Sequence, residues 1–112
     1  MSKAQRAQQA IEVTNSISGE VIGYIGNLSE DGMLLISGSA VAEDALFQFQ
    51  FALQNHAANG ALQKLEIGVH EQWHEAAAVP GQFWTGFRII DIGDDDQKVL
   101  SAWVNSPAGS YQ

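Results

Sequence analysis

The segment His70-Glu71-x-x-His74 contains two imidazoles and a carboxylate at the spacing of a zinc-peptidase motif. On a helix, residues four apart share a face, so both imidazoles could bind one zinc ion while Glu71 acts as general base. However, the apolar alternation over residues 65–69 runs into the segment with the period of a strand, and Pro80-Gly81 ends any helix soon afterwards. In a strand the two imidazoles lie about 13 Å apart, too far for one zinc ion. We therefore predict a β-hairpin with solvated His and Glu side chains, and keep a zinc-dependent hydrolase as a remote alternative.

A second group of polar residues, Asn27-x-Ser29-x-x-Gly32, follows one predicted strand and precedes an apolar run. Asn, Ser and Gly are common turn residues, so the pattern predicts a loop over residues 27–32. The amide of Asn27 and the hydroxyl of Ser29 can form hydrogen bonds with a ligand. Gly32 permits a positive φ and a close approach of the backbone.

Composition limits the classes of function that this sequence can have. The chain has 112 residues, 46% of them apolar, which predicts one folded domain. Cys is absent, which excludes disulfides, thiolate zinc sites and Cys nucleophiles. The net charge of −8 disfavours nucleic-acid polymers and anionic lipid, so an anionic ligand needs a local arrangement of donors. The apolar runs are too short for membrane insertion and the N-terminus lacks a signal-like apolar stretch, so we expect a soluble, cytoplasmic protein.

The spacing of apolar residues predicts six strands and one helix. The clearest strand is Leu46–Leu53, where Phe and Gln alternate. The other strands are predicted at residues 11–17, 21–25, 33–36, 65–69 and 83–92. Apolar residues at helical spacing indicate a C-terminal helix at about 94–105, with Asp94 and Gln97 forming a capping box.

These elements predict a mainly β fold, in which a six-stranded antiparallel barrel is closed at one end by the C-terminal helix. We divide the chain into a flexible N-terminal arm over residues 1–9, the barrel domain over 10–106 and a tail over 107–112. The arm is predicted to be flexible because it is polar and lies at a terminus.

The chain resembles a PilZ domain over about residues 6–104. Three features carry the resemblance: Asn27-x-Ser29-x-x-Gly32 between two strands, Arg6 upstream of it, and Thr85-Gly86-Phe87-Arg88-Ile89 downstream. The resemblance implies a bacterial six-stranded barrel with a C-terminal helix, no catalysis and no cofactor. It also implies either a receptor for cyclic di-GMP or a protein-interaction module, in both cases with a protein partner that the sequence does not identify.

Cyclic di-GMP is a dianion with two guanine bases, and the resemblance implies Arg6, Asn27, Ser29 and Gly32 as its binding residues. A guanidinium binds phosphate or guanine O6/N7 and stacks on bases, and a short polar side chain binds a guanine edge. Trp73 is an additional contact, because an exposed indole can stack on a guanine. Trp84, in contrast, is expected to cap the barrel core.

The basic motif of the family, Arg-x-x-x-Arg, is incomplete in this chain. If Arg6 is the first Arg, Ala10 stands at the position of the second, and the apolar Ile11 and Val13 fit the residues that follow it in the family. Loss of one charge-assisted hydrogen bond lowers affinity about 10- to 100-fold. Two functions therefore stay open: a receptor that binds cyclic di-GMP weakly and relays it to a partner, and a ligand-independent PilZ-like adaptor.

Overall fold

The computed structural model describes residues 4–6, 10–55 and 59–106. Within these ranges the chain forms seven β-strands and one α-helix. In chain order these are β1 Ala4–Arg6, β2 Glu12–Asn15, β3 Val21–Ser29, β4 Gly32–Ser37, β5 Leu46–Asn55, β6 Ala61–Ala76, β7 Phe83–Ile92 and α1 Asp94–Val104. No helix in these ranges has the length and apolar character needed to cross a membrane.

Six of the strands close into an antiparallel barrel. Their order around the wall is β3-β2-β5-β6-β7-β4, and β4 pairs back with β3. The ladders differ in length, because β5 and β6 share ten register pairs whereas β2 and β5 share two, Thr14↔Gln50 and Asn15↔Phe49. We call this short ladder the β2–β5 seam. The predicted mainly β fold, a six-stranded antiparallel barrel with one C-terminal helix, is confirmed.

The seventh strand, β1, lies within the segment that we predicted to be a flexible arm. Its residues pair with the end of β3 in the register Ala4↔Ser29, Gln5↔Leu28 and Arg6↔Asn27. The register pairs between β2 and β3 end at Tyr24 of β3. The last residues of β3 therefore have backbone groups on that edge that β2 does not pair, and β1 pairs with them. The rest of the predicted arm, residues 1–3 and 7–9, lies outside the described residues, as does the predicted tail.

Inward-facing side chains at alternate strand positions fill the barrel. The rings of Phe49 and Phe87 meet edge to face with centroids 5.0 Å apart, and Phe47 stacks on Phe49 at 5.6 Å. Helix α1 packs on β3 and β5 and buries four apolar side chains, those of Val99, Leu100, Trp103 and Val104. Each fully buried side chain of this size contributes about 1.5–3 kcal/mol, so the helix is an integral part of the core.

Other parts of the chain, rather than the predicted capping box, hold the first turn of α1. The residue before the helix is Gly93, and no side chain caps the free N–H groups. Gln97 Nε2 instead donates to Glu30 Oε1 at 3.1 Å, and Asp96 Oδ2 accepts the N–H of Glu66 at 3.1 Å. The capping-box prediction was wrong because these tertiary contacts use the polar side chains of the first turn.

Candidate functional site

A tight turn between β3 and β4 replaces most of the loop predicted over residues 27–32. Only Glu30 and Asp31 lie outside the strands, because β3 continues to Ser29 and β4 begins at Gly32. The Ser29 hydroxyl accepts the N–H of Gly32 at 3.0 Å and donates to Asp31 Oδ1 at 2.9 Å. The carbonyl of Asp31 accepts a backbone N–H from β7 at 2.9 Å. Ser29 therefore fixes the shape of the turn, and the turn is anchored to the neighbouring strand.

Gly32 serves this turn through close packing rather than through an unusual backbone angle. It is not among the glycines with positive φ, so that part of the prediction was wrong. A Cβ at Gly32 would lie 3.0 Å from the carbonyl oxygen of Phe87 on β7. The absence of a side chain lets β4 and β7 approach closely beside the turn.

The outer surface of the barrel carries side chains in rows that cross the strands. Asn27 of β3 is the register partner of Leu34, Leu34 is the partner of Gly86, and Gly86 is the partner of Trp73. These four residues form what we call the first row. The Cα of Arg6 is in turn the register partner of Asn27, so β1 extends the backbone of this row by one strand.

The indole of Trp73 lies across Gly86 on the outer surface of the wall. A Cβ at Gly86 would overlap Nε1 of the Trp73 indole, so the glycine leaves room for the ring. A pocket of about 260 Å³ beside the ring is lined by Asn27, Ser29, Gly32 and Trp73 among others. The structure thus brings together the predicted site residues whose side chains it describes. Gly86 was not predicted as a site residue, although a glycine inside a strand signals a close approach.

A second row, parallel to the first, presents apolar side chains between two carboxylates. Its members follow one register line across five strands, from Glu12 through Tyr24, Ile36 and Trp84 to Glu75. Tyr24 is 44% exposed and Trp84 is 41% exposed. The prediction that Trp84 caps the core was wrong, because Trp84 alternates with the inward-facing Thr85 and so points outward.

The segment His70-Glu71-x-x-His74 lies in strand β6, and its polar groups pair with one another and with the loop before β5. Glu71 is 2% exposed and accepts the N–H of Asp44 at 2.7 Å and Nδ1–H of His74 at 2.9 Å. His70 Nε2 lies 2.6 Å from Asp44 Oδ1, and Gln72 Nε2 lies 2.7 Å from His70 Nδ1. The prediction of solvated side chains was wrong for Glu71, which is an internal anchor of the loop.

The hydrogen bonds to Glu71 determine the charge of its carboxyl group. The hydrogen bond from His74 lowers the pKa of Glu71 most, followed by that from the Asp44 N–H, and together they outweigh the effect of burial, which raises it. The pKa of Glu71 therefore lies below its ordinary value of 4.5, and the carboxylate is ionised at neutral pH.

The strand geometry is also incompatible with the zinc-hydrolase alternative, which needs both imidazoles on one face of a helix. The motif needs a helix to place both imidazoles on one face, and here it lies in β6, with a bulge between Glu71 and Trp73. Within residues 4–6, 10–55 and 59–106, no group of three or more His, Asp or Glu side chains is arranged to hold a metal ion.

Ala10, the residue at the predicted second Arg position, is exposed and does not line the pocket beside Trp73. It lines a different and larger surface pocket of about 860 Å³, together with Glu12, Tyr24 and Lys64. Neither Ala10 nor Lys64 lines the pocket beside Trp73.

Comparisons with known proteins give similarity in structure but not in sequence. No protein-family model matches the sequence, and no curated protein matches it. A solved structure of the inhibitor of motility MotI/DgrA from Bacillus subtilis is similar with a TM-score of 0.72 and 12% identity. The match covers 93% of this chain and 49% of the other, so this chain spans about half the length of MotI/DgrA.

A second solved structure is the PilZ domain of YcgR from Escherichia coli with c-di-GMP (cyclic di-GMP). It is similar with a TM-score of 0.55 and 14% identity, over 92% of this chain and 86% of the other. At these identities the likeness concerns the path of the backbone, and the site must be argued from the residues themselves.

Proposed function

We propose that this chain, which has a PilZ-like fold, is a signalling domain that binds cyclic di-GMP and relays the binding event to a protein partner. One observation carries the proposal: Asn27, Ser29, Gly32 and Trp73 line a single pocket on the outer wall, and the Cα of Arg6 is the register partner of Asn27. The proposal involves no catalysis and no nucleic-acid polymer, and it places the domain in the cytoplasm of a bacterium.

Each residue of the pocket has a role that follows from its chemistry. The exposed amide of Asn27 makes no hydrogen bond within the described part of the chain, so it is free to bind a guanine edge. The indole of Trp73, 47% exposed, offers a face on which a guanine can stack. Ser29 and Gly32 keep the turn in the shape that borders the pocket. Arg6 binds a phosphate or a guanine.

The short strand β1 provides a mechanism for the relay. Among the described residues, three register pairs join β1 to β3, which is a weak attachment for the end of a sheet. A ligand that contacts both Arg6 and Asn27 would stabilise this attachment and so order the N-terminal segment. A partner that recognises the ordered segment would then distinguish the bound state from the free state.

Titration calorimetry of the whole chain with cyclic di-GMP tests the proposal. We expect measurable binding that Asn27→Ala weakens and that the control Gln54→Ala, an exposed substitution on β5, leaves unchanged. Ala10→Arg should strengthen binding by about 10- to 100-fold if the alignment of the basic motif is right. Absence of heat, together with unchanged chemical shifts at Asn27 and Trp73 up to high micromolar ligand, would reject the proposal.

The ligand-independent adaptor is the second candidate, and two observations favour it. The Ser29 hydroxyl is already used inside the turn, and Ala10 offers no charge. The second row supplies an exposed apolar surface for such an adaptor, with a carboxylate at each end. Rejection of cyclic di-GMP binding by the titration would leave this candidate as the better one.

A further inference from the structure

Arg88 lies on the outer face of β7, directly beside the turn that borders the pocket. It is the register partner of Gly32 on β4 and of His70 on β6. Gly32 has no side chain, which lets β4 and β7 approach closely at this point. The backbone N–H of the next residue, Ile89, donates to the carbonyl of Asp31 at 2.9 Å. This hydrogen bond fixes the position of β7, and therefore of Arg88, relative to the turn.

The guanidinium of Arg88 is exposed and makes no hydrogen bond or ion pair within the described part of the chain. The other described cationic side chains, those of Lys64 and Lys98, do not line the pocket beside Trp73. In a chain with a net charge of −8, and beside a turn that carries Glu30 and Asp31, the Arg88 guanidinium is a local donor of the kind that an anionic ligand needs.

The reach of Arg88 includes the first row. Arg88 and Gly86 are two residues apart on one strand, so both face outward and their Cα atoms lie roughly 7 Å apart. The Trp73 ring covers Gly86 and is a diagonal neighbour of Arg88, a distance that long side chains bridge. A ligand with a planar base stacked on Trp73 thus has its neighbouring phosphate within reach of Arg88.

We propose that Arg88 binds a phosphate of cyclic di-GMP and supplies the second guanidinium that the sequence lacks at Ala10. The planar guanidinium can donate two parallel hydrogen bonds to the non-bridging oxygens of a phosphate, a geometry that lysine cannot match. This inference rests on the proposed function. It adds a binding residue that belongs neither to the Arg-x-x-x-Arg motif nor to Asn27-x-Ser29-x-x-Gly32.

Titration of the whole chain with cyclic di-GMP, with Arg88→Gln, Arg88→Lys and the control Lys98→Gln, tests the inference. Arg88→Gln should weaken binding about 10- to 100-fold and make it less sensitive to salt, because one charge-assisted contact is lost. Arg88→Lys should retain part of the affinity, and Lys98→Gln should bind like the wild type. Thermal unfolding of Arg88→Gln should match the wild type, since the side chain makes no hydrogen bond or ion pair with another described residue.

The possible failures of this experiment are distinguishable. If the wild type binds cyclic di-GMP and Arg88→Gln binds equally well, the role of Arg88 is wrong while the proposed function stands. An equal loss in Lys98→Gln would also overturn it, because the effect would then reflect net charge alone. If the wild type itself does not bind, the proposed function fails first and the inference fails with it.

Discussion

The turn at Ser29–Gly32 and the strand segment at His70–His74 both contain candidate functional residues in the sequence. They differ in whether their polar side chains form hydrogen bonds inside the protein or face outward. In the strand segment, His70, Glu71 and His74 all have partners inside the protein, and the Glu71 carboxylate is buried. Beside the turn, the amide of Asn27 faces outward without a partner in the described part of the chain. The difference teaches that a motif typical of catalysis can serve stability, whereas ordinary turn residues can line an exposed surface pocket.

Physical chemistry explains why the two regions should respond differently to substitution. Removing one partner of a buried hydrogen bond leaves the other unsatisfied, which lowers stability. Removing an exposed group that has no partner leaves the folded state unchanged and affects only ligand binding. The predictions below test this division between a stabilising cluster and a binding surface.

We expect the largest effect from Glu71→Ala. The substitution leaves the Asp44 N–H and His74 Nδ1–H without their acceptor, so the free energy of unfolding should fall by about 1–3 kcal/mol. Urea unfolding followed by circular dichroism measures this change. The matched control is Glu75→Ala, an exposed carboxylate on the same strand, which should change stability by no more than about 0.5 kcal/mol. Equal effects of the two substitutions would contradict the division.

Acid should weaken the same cluster. Because the pKa of Glu71 is lower in the folded than in the unfolded chain, its ionised carboxylate contributes stability above its ordinary value of 4.5. This contribution declines as the pH falls below 4.5 toward the folded pKa. The stability difference between the wild type and Glu71→Gln should therefore shrink over this range. A constant difference for Glu71→Gln from neutral to acidic pH would show that the carboxylate charge is not involved.

Ser29→Ala should have a smaller effect on stability. It removes the acceptor of the Gly32 N–H and the donor to Asp31 in a partly exposed turn, which should cost about 0.5–1.5 kcal/mol. Ser39→Ala is the control, because that serine is exposed and its hydroxyl has no partner in the described residues. If the two variants unfold at the same urea concentration, the hydroxyl of Ser29 does not hold the turn, and a direct role in ligand binding becomes the better explanation for it.

Asn27→Ala should have the smallest effect on the fold. We expect its free energy of unfolding to stay within about 0.5 kcal/mol of the wild type, because no hydrogen bond in the described chain is lost. Its affinity for cyclic di-GMP, measured by calorimetry, should nevertheless decrease. A clear loss of stability in this variant would place Asn27 with the stabilising cluster instead.

The period of the apolar residues was sufficient to predict the barrel, but some details depended on contacts between distant segments. The alternation around Phe49 and the helical spacing around Leu100 gave the elements and their buried faces. The same alternation from residues 65 to 69 continues to Glu71 and could have placed its carboxylate inside the barrel. Strand β1 has no such pattern, because it forms only where β3 leaves an open edge.

The candidate site was less predictable than the fold. Asn27, Ser29 and Gly32 were identified through a family resemblance, and the row that joins Asn27 to Trp73 depends on the register of three ladders that no local pattern reveals. Arg88 belongs to the segment that supported the resemblance, yet its place beside Gly32 appears only when β4 and β7 are paired.

The β2–β5 seam should open more easily than the other ladders of the barrel wall. A closed sheet becomes an open one when any single ladder separates, and this ladder has only two register pairs and one further backbone hydrogen bond, from Ser16 to Gln48. Transient separation there would admit solvent to the core beside Phe49 while leaving the ladders under Trp73 intact. Amide protons along this part of β5 should therefore exchange with deuterium sooner than those of β7. The barrel would open locally at the β2–β5 seam while the ladders that join β4, β7 and β6 stay closed.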